Sequence, residues 1–244
     1  MRLAILSDVH GNLVALEAVL ADLRTRGADA GINLGDCVSS PLWPRETLAL
    51  LDTLGWPTVR GNHDRWLMED PPNGVTRSVA FARQAVGDAA RARLAALPPT
   101  LAPEPDVLAV HGRPNDDMNY LLEDAVDGRL ALVTPSALDA RLGGTRATLV
   151  LCGHSHVQHT ALAPGGRLVV NPGSVGCPRH ADNAEPWIAE AGSPHARYAI
   201  ATRRGTRWSV ELFALAYDWD AVVQRAVTNA RADWGAAFMG DIMR

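Results

Sequence analysis

An α/β fold is the class this sequence predicts, and three observations predict it. The chain opens as strand, helix, strand; short apolar runs recur that each stop on a carboxylate, amide or imidazole; and the last third carries hairpin patterns. The opening run Leu3 to Leu6 ends at Ser7-Asp8-Val9-His10, and Asn12 caps a helix whose face is Leu13, Leu16, Val19, Leu20 and Leu23, ended by Gly27. Ala30 to Leu34 is a second strand, running into Gly35-Asp36. A helix alone can connect two parallel neighbours over this distance, so the first two strands pair in parallel.

Pro44 suits the first turn of a helix that runs to Leu54 and is closed by Gly55. Thr58 to Arg60 reads as a third strand delivering Gly61-Asn62-His63-Asp64. Between Arg65 and Ala102 the texture turns rich in Ala and Arg, predicting a helical insertion with helices near Val75 to Val86 and Asp88 to Leu97. Val107 to Val110 is a strand that ends on His111. Helices are expected near Asp116 to Ala125 and from Pro135 to Leu142. Thr148 to Leu151 is a strand ending in Cys152-Gly153-His154-Ser155-His156. Hairpins follow at 159–170, turning at Pro164-Gly165-Gly166, and at 198–213, turning at Gly205, with a surface helix over 218–234. The expected organisation is one domain over residues 1–244.

Composition narrows the function. A formal charge of −4, with arginines scattered rather than clustered, excludes a dedicated nucleic-acid binder, because neutralising phosphates needs a concentrated cationic face. Trp56, Trp187, Trp208 and Trp234 lack flanking basic clusters and read as packing residues. Three cysteines without a Cys-x-x-Cys pair point to a reducing compartment, and no apolar run reaches bilayer-spanning length, so a cytoplasmic location away from membranes is expected. The sequence is compatible with a homo-oligomer.

The loaded strand ends carry the chemistry. In α/β sheets, ligands bind beyond the carboxyl ends of the strands. Asp8, His10, Asp36, Asn62, His63, His111, His154 and His156 all follow predicted strands, and they use five of the eight histidines. Asp8 and His10 are one residue apart, which in an extended segment places both side chains on one face. Imidazole, carboxylate and amide oxygen suit manganese, iron, cobalt, nickel or zinc rather than a soft thiolate site. The ligands outnumber the needs of one tetrahedral ion. Two divalent ions sharing a carboxylate, about 3.5–4 Å apart, would use them and clamp a phosphoryl group.

In order, the blocks Asp-x-His, Gly-Asp, Gly-Asn-His-Asp, His and Gly-His-x-His resemble those of the calcineurin-like metallophosphoesterase superfamily over residues 3 to about 176. The Ser-Asp-x-His-Gly-Asn opening and Asn171-Pro172-Gly173-Ser174 are similar to its small bacterial phosphodiesterase branch. The resemblance implies a four-layer αββα sandwich with two mixed sheets. It implies that Asp8, His10 and His156 hold one ion, that Asn62, His111 and His154 hold the other, and that Asp36 bridges them. It further implies a metal-bridging water or hydroxide as nucleophile, with His63 donating to the phosphate or leaving oxygen and Asp64 orienting His63. Asn12 either contacts the anion or serves as a plain cap, and Arg179 could reach a substrate phosphate.

Departures narrow the substrate. Protein phosphatases of the superfamily continue Gly-Asp toward Asp-Arg-Gly, whereas Gly35-Asp36 continues as Cys-Val-Ser-Ser-Pro. A non-catalytic protein-binding scaffold would have lost ligands, and all seven positions and His63 are kept. The expected activity is hydrolysis of small phosphoesters, diesters ahead of monoesters, with specificity carried by residues 65–102 and 179–195. Cys37 and Cys152 are expected as small buried residues rather than redox-active thiols.

Overall fold

The computed structural model of the protein describes residues 1–181 and 188–238. Strand β1 (Arg2–Leu6) leads into α1 (Leu13–Arg26), whose first turn is capped by Asn12 Oδ1 accepting from Ala15 N at 3.2 Å and whose end is Gly27 at φ 73°. Strand β2 (Ala30–Asn33) pairs in parallel with β1, as the crossover requires. Helix α2 (Pro44–Leu54) follows, then a single bridge between Asn33 and Thr58 where a third strand is predicted. Pro57 precedes that bridge and has no N–H for a ladder, so pairing stops after one rung.

The short α3 (Asn62–Arg65) begins the helical stretch continued by α4 (Arg77–Val86) and α5 (Asp88–Ala95). Its predicted end is corrected: Thr100–Glu104 is strand β3, despite Pro103. It lies at a sheet edge with its register slipping between Leu101 and Glu104, a place where proline is tolerated. Strand β4 (Val107–Val110) matches its prediction.

The helix predicted over 116–125 is absent. Asp116 Oδ1 instead accepts from Met118 N at 2.9 Å and Asn119 N at 3.3 Å, a local side-chain bond that competes with helix. A hairpin then forms from β5 (Glu123–Val126) and β6 (Arg129–Leu132). Its turn is Asp127-Gly128 at φ 51° and 75°, a hairpin dipeptide visible in the sequence and missed there. Next come α6 (Pro135–Arg141), β7 (Leu149–Leu151), the hairpin β8 (Gln158–Ala163) and β9 (Arg167–Pro172), and a ribbon of β10 (Arg179–Ala181) with β11 (Ile188–Glu190). The second long hairpin is β12 (Ala196–Arg204) with β13 (Arg207–Leu215). The C-terminal helix is two pieces, α7 (Trp219–Thr228) and α8 (Ala232–Ala236), broken at Ala230, which has φ 55°.

Two mixed sheets result, in orders β13-β12-β1-β2 and β3-β4-β7-β9-β8. Leu3, Ile5, Ile32 and Leu34 of the first pack on Val107, Ala109, Leu149 and Leu151 of the second. The alternate residues Ala4 and Leu6 turn to Leu16, Val19 and Leu20 of α1, while Val110, Val150 and Val169 turn to Leu138 and Leu142 of α6. Strands buried on both faces explain the unbroken apolar runs. The αββα sandwich is thus the observed fold. Emptying an interlayer position such as Ile5, by Ile5→Ala, would cost about 2–5 kcal/mol. Among the described residues no helix is long and apolar enough to cross a membrane. Trp56, Trp208 and Trp234 pack against the hydrophobic clusters, and Trp187 lies outside the described residues.

Candidate metal centre

The loops that leave β1 and β2 run side by side. Asp8 N donates to Gly35 O, His10 N to Asp36 O and Gly11 N to Cys37 O, each near 3.0 Å, which prolongs the parallel pairing beyond the strands. The convergence of Asp8, His10 and Asp36 comes from this loop pairing. It does not come from strand alternation, because Asp8, His10 and Asp36 all stand at positive φ (54°, 45° and 57°). The loops after β4 and β7 close the site from the second sheet, with Gly153 N donating to His111 O at 2.7 Å.

Two groups of ligand atoms form, each within 4.8 Å: Asp8, His10 and His156, and Asp36, His111 and His154. The groups touch, since Asp36 Oδ2 is 3.6 Å from His10 Nε2 and 3.4 Å from His111 Nε2. Asn62 joins the second group through Oδ1, 3.0 Å from His111 Nε2. All seven residues predicted as ligands therefore come together, and Asp36 lies between the two groups.

The donor set fits cations. His10, His111 and His156 each turn Nδ1 to a backbone carbonyl, of Ser39 (3.1 Å), Leu34 (2.7 Å) and Cys177 (2.8 Å). His154 uses Nε2 instead, on Met118 O at 3.0 Å. Carbonyls accept, so each ring donates its outer N–H and turns its other nitrogen into the cluster. Two such inner nitrogens, of His10 and His156, lie 3.2 Å apart. Asp8 Oδ1 is buried 3.2 Å from His156 Nε2, and its sister oxygen accepts from Ser7 Oγ at 2.5 Å and His154 N at 3.1 Å. Buried carboxylate oxygens gathered with inward-turned imidazole nitrogens are a donor set that a divalent cation would satisfy.

Electrostatics agree. Burial disfavours the carboxylates, yet His156 and His111 hold Asp8 well below its usual range, and His111, His63 and His10 do the same for Asp36. Burial lowers His111, but Asp36 and Asp8 outweigh it and lift the imidazole to about 10. His10 is lowered by burial, and burial with the neighbouring His111 takes His154 down to about 4. Opposed shifts packed into one buried cluster mark a functional site rather than a structural ion pair.

His63 sits at the rim, its ring 5.1 Å from that of His10 and 4.7 Å from that of Trp66. Its backbone N–H fixes Asp36 by donating to Oδ1 at 2.9 Å, and its Nδ1 has no partner among the described residues. Burial takes its imidazole down to about 3. Asp64 does not orient it. The Asp64 carboxylate accepts from Asp36 N (2.8 Å), Cys37 N (3.0 Å) and Gly61 N (3.0 Å), tying the Asp36 loop to α3.

A family model for the calcineurin-like phosphoesterase superfamily domain matches residues 1–192. The chain belongs to that superfamily. The phosphoesterase is 25% identical to an uncharacterized protein of Methanocaldococcus jannaschii, over 95% of this chain and 94% of the relative. A crystal structure of a metallophosphoesterase from Sphaerobacter thermophilus is 26% identical, with a TM-score of 0.70, and the match covers 96% of this chain and all of that one. Vps29 from Entamoeba histolytica, crystallised with zinc, shares the fold at 14% identity and a TM-score of 0.52, over 88% of this chain and 93% of that one. The phosphoesterase is thus a hydrolase whose cluster is built for divalent metals.

The sequence singles out Asn171-Pro172-Gly173-Ser174 in this phosphoesterase but not what the motif does. Asn171 Nδ2 donates to Gly153 O (2.8 Å) and Ser155 Oγ (2.9 Å), holding the His154–His156 loop. Ser174 Oγ donates to Asp8 O (2.7 Å) and accepts from Cys177 N (2.7 Å), the residue whose carbonyl orients His156. Asn-Pro-Gly-Ser is thus a clasp across both ligand loops, and its signal was a polar pair bracketing a turn just after a strand. Asn12 spends its amide internally: the oxygen caps α1, and the nitrogen donates to Gly176 O (3.0 Å) and Tyr217 Oη (3.2 Å). The plain cap describes it. Arg179 opens β10, two residues past Cys177. Cys37 and Cys152 are buried, and burial, reinforced by neighbouring carboxylates, holds both thiols protonated. His159 bonds the buried Glu123 at 2.8 Å, away from the ligands.

Proposed function

We propose that this protein hydrolyses small phosphodiesters, and monoesters less readily, at a centre that takes two divalent cations. One observation supports it above the others: two groups of three candidate ligands meet at Asp36, inside a phosphoesterase domain. Asp8, His10 and His156 would hold one cation, and Asn62, His111 and His154 the other, with Asp36 shared. Such ions supply Lewis acidity toward a phosphoryl oxygen and make water a nucleophile at neutral pH. Manganese, iron, cobalt, nickel and zinc match the donors.

The chain's own groups do the rest. His63, unprotonated at neutral pH and free at Nδ1, would donate one hydrogen bond through its N–H to the phosphoryl or leaving oxygen. Trp66 and His10 hold its ring edge-on and limit its rotation. Asp64 keeps the Asp36 loop in register and has no contact with substrate. Three carbonyls fix the rotation of His10, His111 and His156, so the ligands need little reorganisation on loading.

The test is hydrolysis of bis-p-nitrophenyl phosphate and p-nitrophenyl phosphate with each metal in turn, beside His63→Ala and Asp36→Asn. Diester turnover is expected to exceed monoester turnover, with kcat about a hundredfold lower in His63→Ala. A parent no faster than the two variants with every metal would overturn the reading.

A further inference from the structure

Beside the second ligand group lies a cavity of about 230 Å³, between the segment entering α3 and the loop leaving β4. Its wall includes His111, three arginines (Arg60, Arg65 and Arg113) and two carboxylates (Asp116 and Asp117). His111 belongs to both the cavity wall and the metal cluster, so the cavity lies next to the second ligand group.

The charges do not cancel where they face the space. Asp117 is committed to Arg65, which grips both its oxygens at 2.9 and 2.7 Å. Asp116 accepts from Met118 N, Asn119 N and Asn119 Nδ2, at 2.9, 3.3 and 2.6 Å. Arg60 and Arg113 are left. Arg60 gives Nη1 to Ala95 O at 3.1 Å, and among the described residues nothing accepts from its Nη2. Arg113 gives Nε to Tyr120 O at 2.9 Å, and among the described residues nothing accepts from its terminal nitrogens. Burial and nearby Arg141 press against the Arg113 charge, and Asp116 and Asp124 offset only part of that. Two guanidinium groups, always charged and shaped as planar forks, line a polar cavity with donors to spare. Phosphate is the anion whose geometry such forks match, and a cavity this size holds it with several waters.

We infer that Arg60 and Arg113 form a subsite for a second phosphate group of the substrate, so that the preferred esters are those carrying a phosphate besides the one hydrolysed. The inference rests on the phosphoesterase reading above. Neither arginine touches the ligand atoms of the cluster, so the subsite selects substrates without entering the chemistry. Inorganic phosphate shares this chemistry, and the two sources separate by experiment.

In the first arm, chelator-stripped protein is titrated with inorganic phosphate by calorimetry. Arg60→Gln and Arg113→Gln are each expected to weaken binding about tenfold, with Arg→Lys at either position losing less, since a point charge replaces a fork. In the second arm, the manganese enzyme is given thymidine 5′-(p-nitrophenyl phosphate) and the same ester bearing a 3′-phosphate. The parent should favour the phosphorylated ester at least tenfold in kcat/KM, and the Gln variants should bring that ratio toward one. Should a Gln variant unfold, its Lys counterpart and the parent's own ratio decide. Equal kcat/KM for the two esters overturns the subsite, as does phosphate binding that gives no substrate preference. Hydrolysis of neither ester strikes at the phosphoesterase reading instead and leaves the calorimetric arm to judge the cavity.

Discussion

Asp64→Ala should destabilise the protein by about 3 kcal/mol, a cost set by backbone donors and not by chemistry. The carboxylate is buried and accepts three main-chain N–H groups, from Asp36, Cys37 and Gly61. Alanine leaves all three unsatisfied where water has no ready access, at about 1–3 kcal/mol each. The sum falls toward its lower end because the native carboxylate is itself under load. Burial and the nearby charge of Asp36 raise its pKa to about 6, and that penalty disappears with it. Asp64→Asn should fall about midway. Its oxygen can still serve the Asp36 and Gly61 amides that now share Oδ2, but its NH2 then faces the Cys37 N–H. Urea unfolding of the three chelator-treated proteins reads these differences, and metal affinity should drop in the same order because the tethered loop carries Asp36. An Asp64→Ala protein within about 1 kcal/mol of the parent, yet as slow as His63→Ala, would refute this and restore Asp64 as the partner of His63.

Three further outcomes follow from the same geometry. Asp8→Ala should bind one metal ion fewer per chain by elemental analysis while keeping the parent's circular dichroism, since the backbone bonds from Asp8 N to Gly35 O and from Gly176 N to Asp8 O survive the substitution; full stoichiometry would contradict its assignment. Gly153→Ala places a Cβ 1.9 Å from Ser7 Oγ and 2.8 Å from Asp8 Oδ2, so it should cost about 1–3 kcal/mol in unfolding experiments and lower metal content. Asp22 accepts from Arg26 (2.6 Å) and Tyr198 (2.5 Å), which together outweigh burial and depress its pKa below 3.8. A depressed carboxyl stabilises the fold above its unfolded pKa and loses that contribution as pH falls through the folded one. The stability gap between parent and Asp22→Asn should therefore be present at neutral pH and close in acid below 3.8, and a gap unchanged by acid would count against the pair.

Much of the fold was legible because its strands are short, apolar on both faces and punctuated. Asn12 and Gly27 bracket α1, Pro44 and Gly55 bracket α2, and the turns at Gly165 and Gly205 set two hairpins. What escaped was decided by single residues acting against the local pattern. Asp116 bonds its own loop and prevents the helix that 116–125 suggests, Pro57 reduces a strand to one bridge, and an edge position lets Thr100–Glu104 pair despite Pro103. The order of the two sheets could not be read from periodicity. It depends on β12 returning to pair antiparallel with β1, a contact nearly the whole chain apart.

The candidate ligands were legible by type and order but not by conformation. Asp8, His10, Asp36, His154 and His156 all occupy the left-handed region, with φ between 45° and 67°. Each costs on the order of 1 kcal/mol relative to an ordinary backbone, together a sizeable share of a domain's net stability of about 5–15 kcal/mol. A sequence kept merely for folding would place glycine there. Asp and His stand there because left-handed turns directly after parallel strands point successive side chains into one space. The fold holds them by backbone bonds that need no side chain: Asp8 N to Gly35 O, His10 N to Asp36 O, Gly176 N to Asp8 O. The strain and its restraint thus have separate sources. Asp8→Gly should relax the first and leave the second, giving a protein at least as stable as Asp8→Ala with the same metal site lost. Unfolding curves of the two variants in chelator test this, and a less stable glycine variant would mean that the left-handed turn at Asp8 carries no strain to release.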